Sequence, residues 1–132
     1  MPALSPRGAG RFEVPGLVYN ADMDEQEFRR RADAALESLK RSLMAAEEQA
    51  DIEVEDQAGA IHIAFEEPPA KFVISPQSAT RQIWISALST SFKLDWSDSA
   101  QDFILTKSGE RLKPLVARLI NQQLGEQAVT LA

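Results

Sequence analysis

The sequence predicts an α+β domain in which two helices pack on one face of an antiparallel sheet of about six strands. Helical periodicity appears near both ends of the chain, and short segments of alternating apolar and polar residues lie between them. The connections between these segments have hairpin length, which favours antiparallel pairing. Each helix has one apolar stripe, so both are expected on the same sheet face, leaving the other face to solvent. A length of 132 residues suits one such domain.

The first helix is expected over residues 24–48, after a flexible tail over 1–21 that is rich in proline and glycine. Asp24 followed by Glu27 has the spacing of an N-terminal capping box. Apolar residues then recur along one stripe at helical spacing, at Phe28, Ala32, Ala35, Leu36, Leu39 and Leu43.

The alternating segments predict strands over residues 51–55, 60–66, 71–75, 81–86, 92–96 and 102–106. The second helix follows from about Leu112 to Leu124, with Pro114 in its first turn and Gly125 at its end. The folded domain is therefore assigned to residues 22–125, and residues 126–132 to a C-terminal tail.

The excess negative charge lies in one part of the chain. The net charge is −6, from 20 acidic and 14 basic residues. Residues 22–56 hold twelve acids and five bases, a net of −7, and the remainder holds eight acids and nine bases, a net of +1. The acidic balance argues against binding to nucleic acid or anionic membranes. No segment approaches the roughly 18 apolar residues of a membrane span.

The side chains needed for several kinds of catalysis are missing. The chain has no cysteine, which excludes a thiolate nucleophile and a sulfur-ligated metal held by this chain alone, and it has one histidine, His62. No nucleophile elbow or phosphate-binding loop is present. An enzyme is therefore the less favoured class.

One strand predicts a surface for protein contact. Ile83 and Ile85 share one face of the strand, so Gln82, Trp84 and Ser86 share the other. An exposed tryptophan offers a large apolar area at a small entropic cost. The alternative is that a loop or the tail covers it. Trp96, by contrast, is expected in the core.

Three blocks of sequence carry a family resemblance: residues 72–77 with 81–86 and 94–96, the first-helix residues 28–39, and residues 107–115. They resemble the frataxin family, in particular its bacterial CyaY-like members. The resemblance covers residues 22–125 and implies a helix–sheet–helix sandwich. It also implies a non-enzymatic, iron-binding regulator of iron–sulfur cluster assembly, acting on a cysteine desulfurase and a scaffold protein.

In that family, acids on the first helix and first strand bind iron weakly, and the outer sheet face contacts partners. The acid role carries over to Glu47, Asp51, Glu53 and Glu55, and the partner role to Gln77, Gln82 and Trp84. Lys40, Arg41, Met44 and Ala45 stand where the family usually has helix acids, and Ser75 where it has asparagine.

Three further candidate iron ligands come from position along the chain. Glu48 ends the first helix beside the acidic strand, and Asp33 and Glu37 have the i,i+4 spacing at which a cation would relieve their repulsion. An all-carboxylate set favours weak, exchangeable ferrous or ferric iron. The alternatives are simple solvation, with Glu37 paired to Arg41, or docking of a basic partner.

The leading hypothesis is thus an iron-binding accessory protein of iron–sulfur cluster assembly. A ferroxidase or iron-storage protein and an iron-independent interaction domain are the alternatives. We expect a monomer, in the cytoplasm of a bacterium or in the mitochondrion of a eukaryote.

Overall fold

The computed structural model describes residues 23–66, 69–126 and 128–131. The tail predicted over residues 1–21 lies outside these ranges. The elements follow the order α1 (Glu25–Ala46), β1 (Ile52–Gln57), β2 (Ala60–Glu66), β3 (Pro69–Gln77), β4 (Gln82–Ala87), β5 (Thr90–Ser97), β6 (Asp102–Leu105), β7 (Glu110–Arg111) and α2 (Leu112–Leu124). Neither described helix is long and apolar enough to cross a membrane.

The capping residues set the ends of both helices. Asp24 has extended backbone angles, and its side chain accepts a hydrogen bond from the Glu27 amide at 2.8 Å. Glu27, the acid expected in the capping box, forms an ion pair with Arg31 at 2.9 Å. At the end of α2, Gly125 adopts a left-handed conformation with φ of 76°, which glycine reaches without a Cβ penalty.

Within the described residues, the sheet is fully antiparallel and its seven strands lie in chain order from β1 to β7. This agrees with the predicted antiparallel sheet of about six strands. The additional strand, β7, has two residues and pairs with the end of β6. So short a segment shows no alternation in the sequence.

Burial alternates along the strands as the apolar pattern predicts. In β4, Ile83 and Ile85 are buried while Gln82 and Trp84 are partly exposed and Ser86 is exposed. The buried strand residues and the apolar stripes of α1 and α2 form one hydrophobic core. Phe28 of α1, for example, contacts Phe103 edge-on at 5.9 Å between ring centroids. Both helices therefore cover one face of the sheet.

Trp96 lies at the margin of that core. It is half-buried and packs edge-on against Phe103, with ring centroids 5.2 Å apart. The guanidinium of Arg31 lies 4.4 Å from the centroid of the indole. The residue expected in the core is thus on the core side of the sheet but only partly enclosed.

The C-terminal segment packs against α2. Val129 and Leu131 are buried in the core, although the sequence assigned residues 126–132 to a tail. Asn121 of α2 holds the segment, because its side chain accepts from the amides of Ala128 and Val129 and donates to the carbonyl of Val129. The described part of this segment therefore belongs to the folded unit.

Candidate functional site: the outer sheet face and the acidic edge

A row of side chains crosses the solvent side of the sheet. Ser75 of β3 pairs with Trp84 of β4, and Trp84 pairs with Lys93 of β5. The Lys93 ammonium lies 4.8 Å from the centroid of the Trp84 ring, within the range of a cation–π contact. The indole is half-buried between its neighbours.

Hydrogen bonds hold the Trp84 ring in place. Its Nε1 donates to Oε1 of Gln82 at 2.9 Å, and Nε2 of Gln82 donates to Asp95 at 3.0 Å. Asp95 also accepts from the Thr106 hydroxyl at 3.1 Å. These contacts connect three neighbouring segments, β4, β5 and the residue following β6. The ring is therefore an ordered surface feature.

The other two predicted contact residues lie on the same face. Gln77, at the end of β3, pairs with Gln82 and donates to the Ser75 hydroxyl at 3.2 Å. Ser86 is exposed and pairs with Val73 and Ser91. The strand register thus brings Gln77, Gln82, Trp84 and Ser86 together on the outer sheet face. Alternation predicted this face for Gln82, Trp84 and Ser86, and the family resemblance implied it for Gln77.

Glu47 has a structural contact. It follows α1, and its carboxylate accepts a hydrogen bond from the backbone amide of Val54 at 2.7 Å. Val54 lies in β1, the edge strand, so the carboxylate satisfies an amide that would otherwise face solvent along an open sheet edge. Glu47 is half-buried there. One predicted iron ligand is therefore already engaged.

The remaining predicted acids are exposed and dispersed. Glu53 and Glu55 lie on the outer face of β1, opposite Ala64 and His62. Glu55 accepts a weak hydrogen bond from Gln57 at 3.3 Å. Asp33, Glu48 and Asp51 are likewise exposed.

Two bases lie within the acidic edge, which is the surface formed by the exposed acids of α1, of β1 and of the connection between them. Arg41 pairs with Glu37 at 3.4 Å, as the alternative reading of this pair expected, and Lys40 pairs with Asp56 of β1 at 3.0 Å. The hydrogen bond to Asp56 and its charge raise the pKa of Lys40 above its usual value. Lys40 therefore joins the middle of α1 to the edge strand.

The acids do not converge on a single point. Among the described residues, no three His, Asp or Glu side chains are arranged to hold a metal ion. Single carboxylates and pairs with open coordination positions suit a loosely held, exchangeable cation. The donor chemistry is compatible with iron as a cargo, whereas a resident metal would need more ligands.

Lys93, Asp95 and Thr106 were not among the predicted site residues. A turn of two residues, Leu88 and Ser89, connects β4 and β5, and its length sets Trp84 opposite Lys93. Both turn residues have positive φ, as in a type I′ turn, but the Leu-Ser pair lacks the Asn-Gly signature of that turn. The β4–β5 register could therefore not be predicted from the sequence.

A comparison with family models decides the classification. The model described as the Frataxin-like domain matches residues 21–126. This chain belongs to the frataxin-like family. The resemblance inferred from residues 22–125 is thereby confirmed.

Two relatives of this frataxin-like chain are bacterial proteins. The iron-sulfur cluster assembly protein CyaY of Stutzerimonas stutzeri is 33% identical over 76 residues, covering 58% of this chain and 68% of the relative. The protein of the same name from Azotobacter vinelandii is 32% identical over 77 residues, covering 58% and 69%.

The solved frataxin of Psychromonas ingrahamii superposes with a TM-score of 0.71 at 21% identity, covering 83% of this chain and 99% of that one. At this identity the likeness concerns the fold, and it confirms the predicted α+β sandwich.

Proposed function

We propose that this frataxin-like protein is an accessory protein of iron–sulfur cluster assembly that docks on a cysteine desulfurase–scaffold complex. The names of its CyaY relatives support the cluster-assembly role. The observation that carries docking is the outer sheet face, where Trp84 stands in an ordered row with Ser75 and Lys93. The bacterial relatives favour a cytoplasmic location.

The sheet face supports docking because its main anchor is already in place. Trp84 is held by Gln82 and lies beside Lys93, so little side-chain freedom is lost when a partner binds. Tryptophan is also enriched among the residues that dominate binding energies. Gln77 and Ser86 add polar groups near the ring.

The acidic edge supports a second contact, with a basic partner surface or a cation, that is weaker than docking through the sheet face. Glu53 and Glu55 of β1 and Asp51, which immediately precedes this strand, are exposed and give this edge a negative field. Such a field attracts basic partner surfaces and cations alike. In this proposal iron associates reversibly with these carboxylates and is delivered as cargo, while the protein itself carries out no chemical step.

An iron-independent interaction domain is the second candidate. It is favoured by the engagement of Glu47 with the Val54 amide and by the insertion of Lys40 beside Asp56. Both contacts reduce the negative charge available to a cation. In this alternative the outer sheet face still docks, but the acidic edge serves only to orient the partner.

Replacement of Trp84 tests the docking surface. We expect Trp84→Ala to remain folded, since the ring lies on the outer face, and to bind the desulfurase–scaffold complex at least about 30-fold more weakly. The matched control is Trp96→Phe, which changes the other tryptophan at the margin of the core. Isothermal titration of each variant against the complex gives the affinities. Equal affinity of Trp84→Ala and the parent protein would refute docking through this face.

Anaerobic titration with ferrous iron tests the metal contact. Amide resonances followed by NMR should shift or broaden within residues 33–56, and Glu53→Gln with Glu55→Gln should weaken the effect. Glu126→Gln, which removes one exposed acid outside the edge, is the control. Perturbation confined to other residues would reject the edge as an iron site. Oxygen consumption with turnover, lost on neutralising Glu53, would instead indicate a ferroxidase.

A further inference from the structure

The side chain of Gln82 lies between two groups of opposite hydrogen-bonding character. The indole N–H of Trp84 can donate but not accept, whereas the carboxylate of Asp95 accepts and does not donate. Gln82 satisfies both, with Oε1 towards Trp84 at 2.9 Å and Nε2 towards Asp95 at 3.0 Å. Turning the amide by half a rotation would oppose donor to donor and acceptor to acceptor. Asp95 therefore holds the Gln82 amide in the one orientation that also satisfies the tryptophan.

Asp95 is itself held from two sides. The strand register places it directly opposite Gln82, on the outer face of β5. Its second carboxylate oxygen accepts from the Thr106 hydroxyl at 3.1 Å. Because both oxygens are engaged, the carboxylate has little freedom to rotate away from Gln82. The order of the Trp84 ring thus depends on Asp95 through the Gln82 amide.

We propose that Asp95 is a positioning residue for the Trp84 docking surface. By fixing the amide of Gln82, it provides an internal acceptor for the indole N–H and keeps the ring beside Lys93. The partner then meets the carbon surface of the indole next to an ammonium group, and the indole donor is already used within the sheet. This inference rests on the proposed docking function.

The physical benefit is pre-organisation. A tryptophan free to rotate on a sheet surface must lose that freedom when a partner binds, and ordering a side chain costs affinity. An indole N–H without its internal acceptor would also have to find one in the interface or give up its bond to water. Asp95 removes both costs before the partner arrives.

Two substitutions at Asp95 separate hydrogen-bonding geometry from charge. Asp95→Ala removes the acceptor, so Gln82 can turn, and we expect the Trp84 indole resonance to shift in ¹H–¹⁵N spectra of the free protein. Affinity for the desulfurase–scaffold complex should fall about three- to tenfold, as expected for one hydrogen bond. Asp95→Asn keeps an acceptor for Gln82 and can donate to Thr106, so it should retain the parent resonance and affinity.

The second tryptophan provides an internal control. Trp96 Nε1 donates to Asp98 at 2.8 Å, so Asp98→Ala should shift the Trp96 indole resonance and leave that of Trp84 in place. A Trp84→Phe background provides another, because phenylalanine has no N–H to satisfy. There, Asp95→Ala should cause no additional loss of affinity.

Three results would overturn the inference: an unchanged Trp84 resonance in Asp95→Ala, equal losses in Asp95→Asn and Asp95→Ala, or a full additional loss in the Trp84→Phe background. The second of these would assign the effect to charge. The indole resonance is read without a partner, so it separates failure of this inference from failure of docking, which Trp84→Ala reports.

Discussion

Removal of the Asn121 side chain should release the C-terminal segment. This side chain makes three hydrogen bonds to the backbone of Ala128 and Val129, with lengths of 3.0, 2.9 and 2.8 Å. At about 0.5–1.5 kcal/mol net for each bond, Asn121→Ala would lose about 1.5–4.5 kcal/mol. Alanine is the better helix former by about 0.5 kcal/mol, which offsets part of the loss.

Detachment of the C-terminal segment limits the loss of free energy of unfolding. Val129 and Leu131 are 3% and 8% exposed, and burial of two such side chains stabilises by about 3–6 kcal/mol. Holding residues 128–131 in place costs about 4–8 kcal/mol of backbone entropy. The segment is therefore close to balanced without Asn121, and detaching it returns the unpaired groups to water. We expect Asn121→Ala to lower the free energy of unfolding by about 1–3 kcal/mol.

Urea denaturation followed by tryptophan fluorescence measures this change, and amide hydrogen exchange at Ala128 and Val129 locates it. In the Asn121→Ala background, Leu131→Ala should cost much less than in the parent, because the segment is already detached. Additive effects of the two substitutions, or a loss below about 0.5 kcal/mol for Asn121→Ala, would refute the reasoning.

Two further predictions concern the sheet edges. Glu47→Ala should lower the free energy of unfolding by about 1–2 kcal/mol, because it removes the acceptor of the Val54 amide. Glu47→Gln keeps a carbonyl oxygen and should lose less. Equal losses in urea denaturation would contradict this account. The hydrogen bond from Arg118 lowers the pKa of Glu110 below 4.5, so its stabilisation is present above that pH and lost as the pH falls through the folded-state pKa. Stability measured from about pH 5 down to about pH 3 should therefore decline more steeply in the parent than in Glu110→Gln, and parallel curves would argue against the contribution of this pair.

The helices and most strands could be predicted because their signals are local. Asp24 caps α1 and Gly125 ends α2 at the positions that their side-chain chemistry favours. Alternation along residues 82–86 correctly placed Trp84 on the face opposite Ile83 and Ile85. Strand β7 and the packed C-terminal segment were missed, since the first is too short to alternate and the second is held by α2.

The candidate site was predicted in part, because only some of its features have signals that are local along the chain. Gln82, Trp84 and Ser86 share one face because of a period of two, which β4 carries in its own sequence. Gln77 was placed with them by the family resemblance. The contact of Lys93 with Trp84 and that of Asp95 with Gln82 depend on the β4–β5 register. That register follows from a two-residue turn without a diagnostic sequence. The iron-binding role of the predicted acids stays a prediction.

The sequence by itself determined the element types, the buried face of each element and the concentration of acidic charge between residues 22 and 56. These properties depend on neighbours along the chain. Only the tertiary structure decided that Glu47 accepts from an edge-strand amide, that Lys40 pairs with Asp56 and that Asp95 orients Gln82. Each of these contacts joins groups from different elements, so it exists only once the sheet register and the packing of the helices have brought them within hydrogen-bonding distance.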